Sequence, residues 1–249
     1  MFENIIKNVH NRHPLIHCIT NYVSINDCAN IVLACGGAPI MAEDINEVSQ
    51  ITSICQGLDI NIGMLNDNKL SSMLKAGATA NELGIPVILD PVGAGSSDYR
   101  IKAVQNLMSN VQFGVIRGNV SEIKAIAAKQ GIHNIAAGVY ETMQKNKSAM
   151  GVEAGIADKI TDDNIKEMAD FINKLSQKTG AVIAVTGGID MVADENRVYA
   201  IRNGHKMMSL VTGAGCQLSA LTSAYVAADK EHILESVCAA VSVMGISGE

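Results

Sequence analysis

The segment Val211-Thr212-Gly213-Ala214-Gly215-Cys216 combines flexible glycines with a thiol at the point where a helix is predicted to begin. Glycines before a helix let backbone N–H groups turn toward one point, and the helix N-terminus adds a partial positive charge. A phosphate could therefore bind there without a lysine. Cys216 would lie beside that anion, and the same field would lower the pKa of its thiol. The alternative is a glycine-lined helix start that only packs closely on a sheet.

Carboxylates occupy two further positions that suit chemistry at the end of a strand. Asp90 ends an apolar run and precedes a proline, so its side chain could bind magnesium directly or through water, or cap the next turn. Asn119 and Glu122 are three residues apart at the start of a predicted helix, which places them on the same side of that helix. The same spacing is typical of a capping box, and from these residues alone capping is the stronger interpretation.

Thr186 stands before two glycines and could present its hydroxyl and free backbone N–H groups to a phosphate. An ordinary tight turn explains the same residues. The two common nucleotide fingerprints are missing, because the sequence has no G-x-x-x-x-G-K-[ST] motif and Leu218 stands where a dinucleotide fingerprint starting at Gly213 needs Gly or Ala. These absences argue against a P-loop protein and against an NAD-binding protein.

The elements that would position these side chains alternate along the chain. Short runs rich in Val and Ile alternate with helical stretches, which predicts an α/β fold with three αβα layers and a mostly parallel central sheet. In such a sheet, ligands bind at the carboxyl ends of the strands. The predicted strands are Leu15 to Ile19, Ala38 to Met41, Leu58 to Ile62, Pro86 to Leu89, Val111 to Ile116 and Ala181 to Val185, followed by an edge hairpin of Met191 to Val192 and Val198 to Ile201.

Predicted helices connect these strands and close the chain. They are Ser24 to Ala34, Ile45 to Ile54, Asn68 to Leu83, Val120 to Lys129, Asp162 to Lys178, Gly215 to Ala227 and His232 to Met244. No composition break or repeat divides the sequence, so we expect a single domain over residues 1–249. The segment Gly131 to Gly155 lacks a clear period and reads as a lid or oligomer contact, or as a surface helix around Tyr140 to Lys147.

Composition and charge narrow the class of protein. The 249 residues are 48% hydrophobic and 18% charged, with a net charge of −6, which excludes a disordered chain and argues against a nucleic-acid partner. The six cysteines include no C-x-x-C pair, so a zinc knuckle is not predicted. No apolar run has the length of a membrane span or a signal peptide. We therefore expect a cytoplasmic protein without a membrane partner.

Taken together, the segments at the predicted strand ends closely resemble the hydroxyethylthiazole kinase family of the ribokinase-like superfamily. The resemblance runs in order from about Pro14 to Met244, and it is specific because many short segments match in one order. These segments are His17 to Asn21, Gly37 to Ala42, Asn61 to Gly63, Pro86 to Gly95, Ile116 to Asn119 with Glu122, Gly151 to Glu153, Val185 to Gly187 and Val211 to Cys216.

The resemblance implies a kinase that uses ATP and Mg²⁺ to phosphorylate the primary alcohol of 5-(2-hydroxyethyl)-4-methylthiazole in thiamine biosynthesis or salvage. It also implies a homotrimer with active sites at the subunit boundaries. The residues that match the family's site fall into three groups. Those for the thiazole pocket are Asn21, Val23, Met41 and Gly213; those for ATP are Arg117, Thr186, Ala214 and Gly215; those for magnesium are Asp90 and Glu122.

Cys216 stands where the wider superfamily has an aspartate that acts as a base toward the substrate hydroxyl, and the resembling family also has cysteine there. Phosphoryl transfer depends mostly on alignment and charge neutralisation, so the resemblance assigns Cys216 to orienting and deprotonating the alcohol in a slow enzyme. The alternatives are a hydroxymethylpyrimidine or pyridoxal kinase, a ligand sensor without catalysis and, least favoured, an oxidoreductase. Members of the resembling family typically continue beyond the last predicted helix, whereas this sequence ends at Glu249.

Overall fold

The central element of the fold is one sheet of eight strands in the order β2-β1-β3-β4-β5-β6-β7-β8. The structure, a computed structural model, describes residues 2–132 and 159–249. Strands β1 to β6 run parallel to one another. Strand β7 is antiparallel to both of its neighbours, β6 and β8. The strands are β1 (Leu15–Ile19), β2 (Ala38–Ile40), β3 (Gly57–Asn61), β4 (Val87–Asp90), β5 (Val115–Asn119), β6 (Val182–Thr186), β7 (Asp190–Ala193) and β8 (Val198–Ile201).

Helices cover both faces of the sheet, so the predicted fold class and its edge hairpin are confirmed. In chain order over the described residues they are α1 (Phe2–Arg12), α2 (Ile25–Ala34), α3 (Val48–Ile54), α4 (Asp67–Glu82), α5 (Asp98–Asn110), α6 (Val120–Lys129), α7 (Ile165–Thr179), α8 (Ala214–Ala228) and α9 (Ile233–Ser247). A short 3-10 helix, Lys206–Leu210, precedes α8.

The apolar core lies in layers on the two faces of the sheet. On one face, alternate residues of β3 such as Leu58 and Ile60 join side chains of α4 to α7 in one cluster. On the other face, α8 packs against β1, β3 and β4, with α1, α2 and α9 around it. Almost every residue of α8 is buried. This burial fixes the N-terminus of α8 at the carboxyl edge of the parallel strands.

The largest differences from the sequence prediction concern two helices and one strand, while several other elements begin or end one to three residues from their predicted bounds. Helices α1 and α5 were not predicted, although Ser97 caps α5 and apolar residues follow at helical spacing. The predicted strand Val111 to Ile116 is displaced, because Val111 is the C-cap of α5 and the strand begins at Val115. A short apolar run does not distinguish a packed helix end from a strand.

The predicted loose segment, Gly131 to Gly155, falls almost wholly outside the described residues, as does the matching segment Gly151 to Glu153. In the part of the chain that the structure describes, none of the helices combines the length and the apolar character needed to cross a membrane.

Candidate active site

Three of the predicted site residues meet at the carboxyl edge of neighbouring parallel strands. Asp90 is the last residue of β4, Arg117 lies near the end of β5 and Thr186 is the last residue of β6. Nη1 of Arg117 lies 3.6 Å from Oδ2 of Asp90, and Nη2 donates a hydrogen bond of 2.8 Å to the Thr186 hydroxyl. The largely buried guanidinium therefore connects an acidic group to a hydroxyl at the predicted ligand edge.

The glycine-rich turn lies directly against this guanidinium. A Cβ atom on Gly215 would stand 2.8 Å from Nη1 of Arg117. Gly213 is the N-cap of α8 and has φ +77°, a left-handed conformation that favours glycine. A Cβ atom there would stand 2.6 Å from Cβ of Ser24. Gly215 therefore lies directly against Arg117, which in turn lies beside Asp90, and a side chain at position 215 would displace the guanidinium.

Hydrogen-bond donors without an acceptor lie at this turn. Within residues 2–132 and 159–249, the amides of Gly215 and Cys216 have no hydrogen-bond acceptor, as is usual at a helix start. The Nε atom of Arg117 is buried and also lacks a partner there. Buried polar groups are nearly always satisfied, so these donors fit an anionic ligand such as a phosphate.

Asp90 is fully buried and uses only one of its two oxygens in the protein. Oδ2 accepts hydrogen bonds from Asn61 (2.8 Å) and from Ser219 on α8 (2.9 Å). Oδ1 has no partner among the described residues. Burial raises the pKa of this carboxyl, against the opposing effects of Arg117 and the two hydrogen bonds. A carboxylate oxygen without a protein partner suits Mg²⁺, which typically takes one or two carboxylates plus substrate phosphates.

Glu122 forms the capping box that its spacing predicted. Oε2 accepts from the amide of Asn119, and the Asn119 side chain accepts from the amide of Glu122. Oε1 accepts a 2.8 Å hydrogen bond from the amide of Gly93. Glu122 therefore joins the loop after β4 to the start of α6. A role toward magnesium stays a prediction, and within the described chain no group of three or more acidic, histidine or cysteine side chains is arranged to hold a metal.

The predicted effect of the helix field on Cys216 is wrong. Burial raises the pKa of the thiol, and the nearby charge of Asp90 raises it further, although hydrogen bonds from neighbouring polar groups act in the opposite direction. Desolvation therefore outweighs the favourable helix N-terminus. Nδ2 of Asn21 donates to the sulfur over 3.0 Å, and Met41 packs against the apolar cluster that contains Cys216. Asn21, Met41 and Cys216, which the family resemblance placed around the acceptor alcohol, therefore lie together.

The surroundings of Val23 and of the amide of Gly187 differ from those predicted. Val23 is on the surface, with 66% of its area exposed. The amide of Gly187 is not free, because it donates a 2.8 Å hydrogen bond to Oδ1 of Asp190. Burial raises the pKa of Asp190 to about 6. Ala214 begins α8, between the two glycines of the turn.

Several residues that organise this edge were missed by sequence reasoning. The guanidinium of Arg100 on α5 donates to the carbonyl oxygens of Ile62, Gly63 and Val92. It therefore ties the loop after β3 to the loop after β4. Bonds to carbonyl oxygens leave no sequence pattern, since every residue has such an oxygen. Asn61 offered a weak signal, because it is a polar residue near the end of the predicted strand Leu58 to Ile62.

The order of the sheet and the position of the α8 N-terminus at its carboxyl edge are those of a ribokinase-like fold. This fold is similar to that of a ribokinase-like superfamily protein from Enterococcus faecalis, with a TM-score of 0.60 at 11% identity, over 97% of this chain and 79% of that one. The profile of the hydroxyethylthiazole kinase family matches residues 6–249. The chain belongs to that family.

Two relatives are similar over nearly the whole chain. A hydroxyethylthiazole kinase from Clostridium acetobutylicum is 51% identical over 249 residues, which are 100% of this chain and 85% of that relative. The solved structure of a hydroxyethylthiazole kinase protein from Pyrococcus horikoshii has a TM-score of 0.80 and 32% identity, over 96% of this chain and 81% of that one. The family resemblance drawn from the strand-end segments is therefore confirmed.

Proposed function

We propose that this protein transfers the γ-phosphoryl group of ATP to the primary alcohol of 5-(2-hydroxyethyl)-4-methylthiazole, a reaction of thiamine biosynthesis or salvage. The observation that carries the proposal is the contact of Gly215 with Arg117, whose guanidinium also lies 3.6 Å from Asp90. It places unpaired amides, a guanidinium and a free carboxylate oxygen around one point. Membership of the family identifies the acceptor alcohol.

The phosphates of ATP would be held by Arg117, Thr186 and the free amide of Gly215. Ala214 would line the same turn, but its own amide donates to the carbonyl oxygen of Val211. Phosphoryl transfer passes through a loose transition state, in which charge spreads over the oxygens of the migrating group. Preorganised donors in a partly dry site stabilise this charge strongly. Asp90 and Glu122 would hold Mg²⁺, which neutralises phosphate charge when it is bound.

The acceptor alcohol would bind between Asn21, Met41 and Gly213, with its oxygen toward Cys216. A P–O bond forms to that oxygen while the P–O bond to the leaving ADP breaks. The alcohol proton passes to the thiolate form of Cys216, and from there to solvent. Asn21 donates to the sulfur, so it favours the thiolate and orients it. Because the thiol pKa is raised, only a small fraction is ionised near neutral pH, which agrees with a slow enzyme.

We infer that a neighbouring copy completes the pocket and that the protein is a homotrimer. Exposed apolar side chains lie in the segment before Gly213 and in the segment that contacts Gly213 through Ser24, with Leu210 79% exposed and Val23 66% exposed. Met207 and Val211 are exposed beside them. Apolar patches next to a ligand site are typical of interfaces. Light scattering should give about three times the 26.3 kDa chain mass; a monomer mass would contradict the inference.

We also infer one cytoplasmic kinase domain. All six cysteines are free thiols, and disulfides are uncommon in reducing compartments.

The proposed function is tested by ADP release with a panel of acceptor alcohols. The panel contains the thiazole alcohol, hydroxymethylpyrimidine and pyridoxal, each with ATP and Mg²⁺. We expect release that depends on the thiazole alcohol and exceeds that with the other two. Preference for pyridoxal would assign the protein to a related kinase activity. Ligand binding without single-turnover phosphate transfer would indicate a sensor.

Replacement of Cys216 by aspartate should keep or raise turnover. A carboxylate ionises several pH units below a thiol, and Asn21 can donate to it as it does to the sulfur. The raised pKa of the thiol further predicts that wild-type turnover increases as the pH rises above neutral. The aspartate variant should lose most of that increase. Turnover measured from pH 6 to pH 10 checks both expectations.

The matched control is Cys55→Ser, a substitution of a buried thiol that donates to the carbonyl oxygen of Ile51 on α3. It should leave the pH profile unchanged. A fall of Cys216→Asp activity to background, with the control active, would remove the assignment of Cys216 as the base.

A further inference from the structure

A buried lysine lies beside the proposed acceptor pocket, and the reaction described above gives it no role. Lys69 belongs to α4, and its side chain is only 2% exposed. Nζ donates a hydrogen bond to the carbonyl oxygen of Thr20. The same atom lies 2.9 Å from Oε2 of Glu43 and 4.5 Å from the centroid of the Tyr22 ring. Charged lysines are rarely buried unless they are paired, so the burial of Lys69 depends on these partners.

Lys69, Glu43 and Tyr22 form a closed triangle, which we name the lysine triangle. The Tyr22 hydroxyl donates to Oε1 of Glu43, so each member contacts the other two. Partial burial acts to raise the pKa of Glu43, but its bonds to Tyr22 and Lys69 outweigh burial and leave that pKa lowered. Glu43 is therefore ionised, and the ammonium has a full counter-charge. A cation over an aromatic face adds further attraction.

The triangle connects the two segments that carry the predicted thiazole contacts. Thr20 and Tyr22 flank Asn21, whose amide reaches the Cys216 sulfur. Glu43 follows Met41 by two residues, in the loop after β2. These segments are about twenty residues apart in sequence. Outside the triangle, His17 on β1, the strand that leads into Thr20, contacts the carbonyl oxygen of Ala42 in the second segment.

We propose that Lys69 is a positioning residue that sets the distance between the Thr20–Val23 and Met41–Glu43 segments and thereby selects the acceptor alcohol. The proposal rests on the function proposed above. Without the ammonium, the Tyr22 ring and Glu43 lose their common partner. Glu43 is 42% exposed and would turn to water. The pocket would then hold the thiazole ring less tightly, while the ATP site at Arg117, on the other side of Gly213, would be unchanged.

The test is Lys69→Met, which keeps the apolar stem and removes the charge. We expect the KM for the thiazole alcohol to rise about tenfold or more, with the KM for ATP within about twofold of wild type. The matched control is Lys75→Met. Lys75 is also on α4 and donates to the carbonyl oxygen of Ile45 in the loop after β2, but it lies outside the triangle. It should change neither constant. Glu43→Gln is a second variant with an exposed side chain, and we expect a smaller rise in the same constant.

Unchanged constants in Lys69→Met and Glu43→Gln would overturn the proposal. Parallel rises in both KM values with a lower melting temperature would also overturn it, since they indicate only structural support. The wild type is measured in the same assay. A wild type that releases no ADP with the thiazole alcohol contradicts the proposed function, whereas an active wild type with unaffected variants contradicts only the role of Lys69.

Discussion

The substitution Asp90→Asn is expected to lower kcat by about 10²- to 10³-fold, the range for losing one preorganised electrostatic group. Oδ2 of Asp90 receives donors from Asn61 and Ser219 and lies 3.6 Å from Arg117. An amide nitrogen in that place would face three donors. In the other orientation, the NH₂ group would replace the free Oδ1 oxygen that faces the proposed metal. In either case the negative charge beside Arg117 is lost.

Steady-state kinetics with varied Mg²⁺ should therefore show a higher Mg²⁺ requirement together with the lower kcat. The control is Asp170→Asn, since Asp170 is exposed on α7 on the surface of the protein. That variant should match the wild type. If Asp90→Asn retains turnover within about twofold of wild type, Asp90 does not act on the phosphate or its metal.

The positions of Asp90, Arg117 and Thr186 could be predicted from sequence because parallel strands end at a common edge. Each of these residues ends an apolar run or lies near its end, so a coarse reading of the strands was enough. The capping box of Asn119 and Glu122 is local, and its spacing alone predicted it. Features whose partners are a few residues apart could therefore be predicted from the sequence.

Features that depend on distant partners could not be predicted in this way. Lys69 reaches Thr20 and Glu43 across the fold, and its sequence neighbours do not indicate that it is buried. The Cys216 pKa was predicted from a helix start, but burial and the charge of Asp90 decide its direction. Both causes arise only when α8 packs against β3 and β4.

Asp59 shows the same dependence on tertiary packing. It lies inside β3, fully buried, and neither of its oxygens has a partner among the described residues. Burial raises its pKa well above the usual value, and the charge of Asp90 acts in the same direction, against Arg117. Burial therefore favours the neutral form of this carboxyl. A carboxyl in an apolar strand gives no sign of this in its own segment, because the neighbours responsible belong to other strands.

The substitution Gly215→Ala is expected to remove most of the activity while the protein still folds. The new Cβ atom would stand 2.8 Å from Nη1 and 3.1 Å from Nη2 of Arg117. The guanidinium would have to move, and it would leave either Asp90 or Thr186. Gly215 is in the first turn of α8, where alanine is a better helix former by up to about 1 kcal/mol. The gain in helix propensity and the loss of a buried Arg117 contact act in opposite directions on stability. We therefore expect a melting temperature close to that of the wild type, a higher KM for ATP and a kcat about 10²-fold lower.

Two comparisons separate this effect from a general loss of structure. Gly213→Ala should instead lower the melting temperature, because φ +77° is unfavourable for alanine and Cβ of Ser24 would lie 2.6 Å away. Gly114→Ala is the neutral control, since its nearest atoms would be 3.8 Å from the new Cβ. A stable Gly215→Ala enzyme with wild-type KM for ATP would show that Arg117 does not hold the nucleotide. Loss of affinity for ATP with retained stability would instead tie nucleotide binding to the position of that guanidinium.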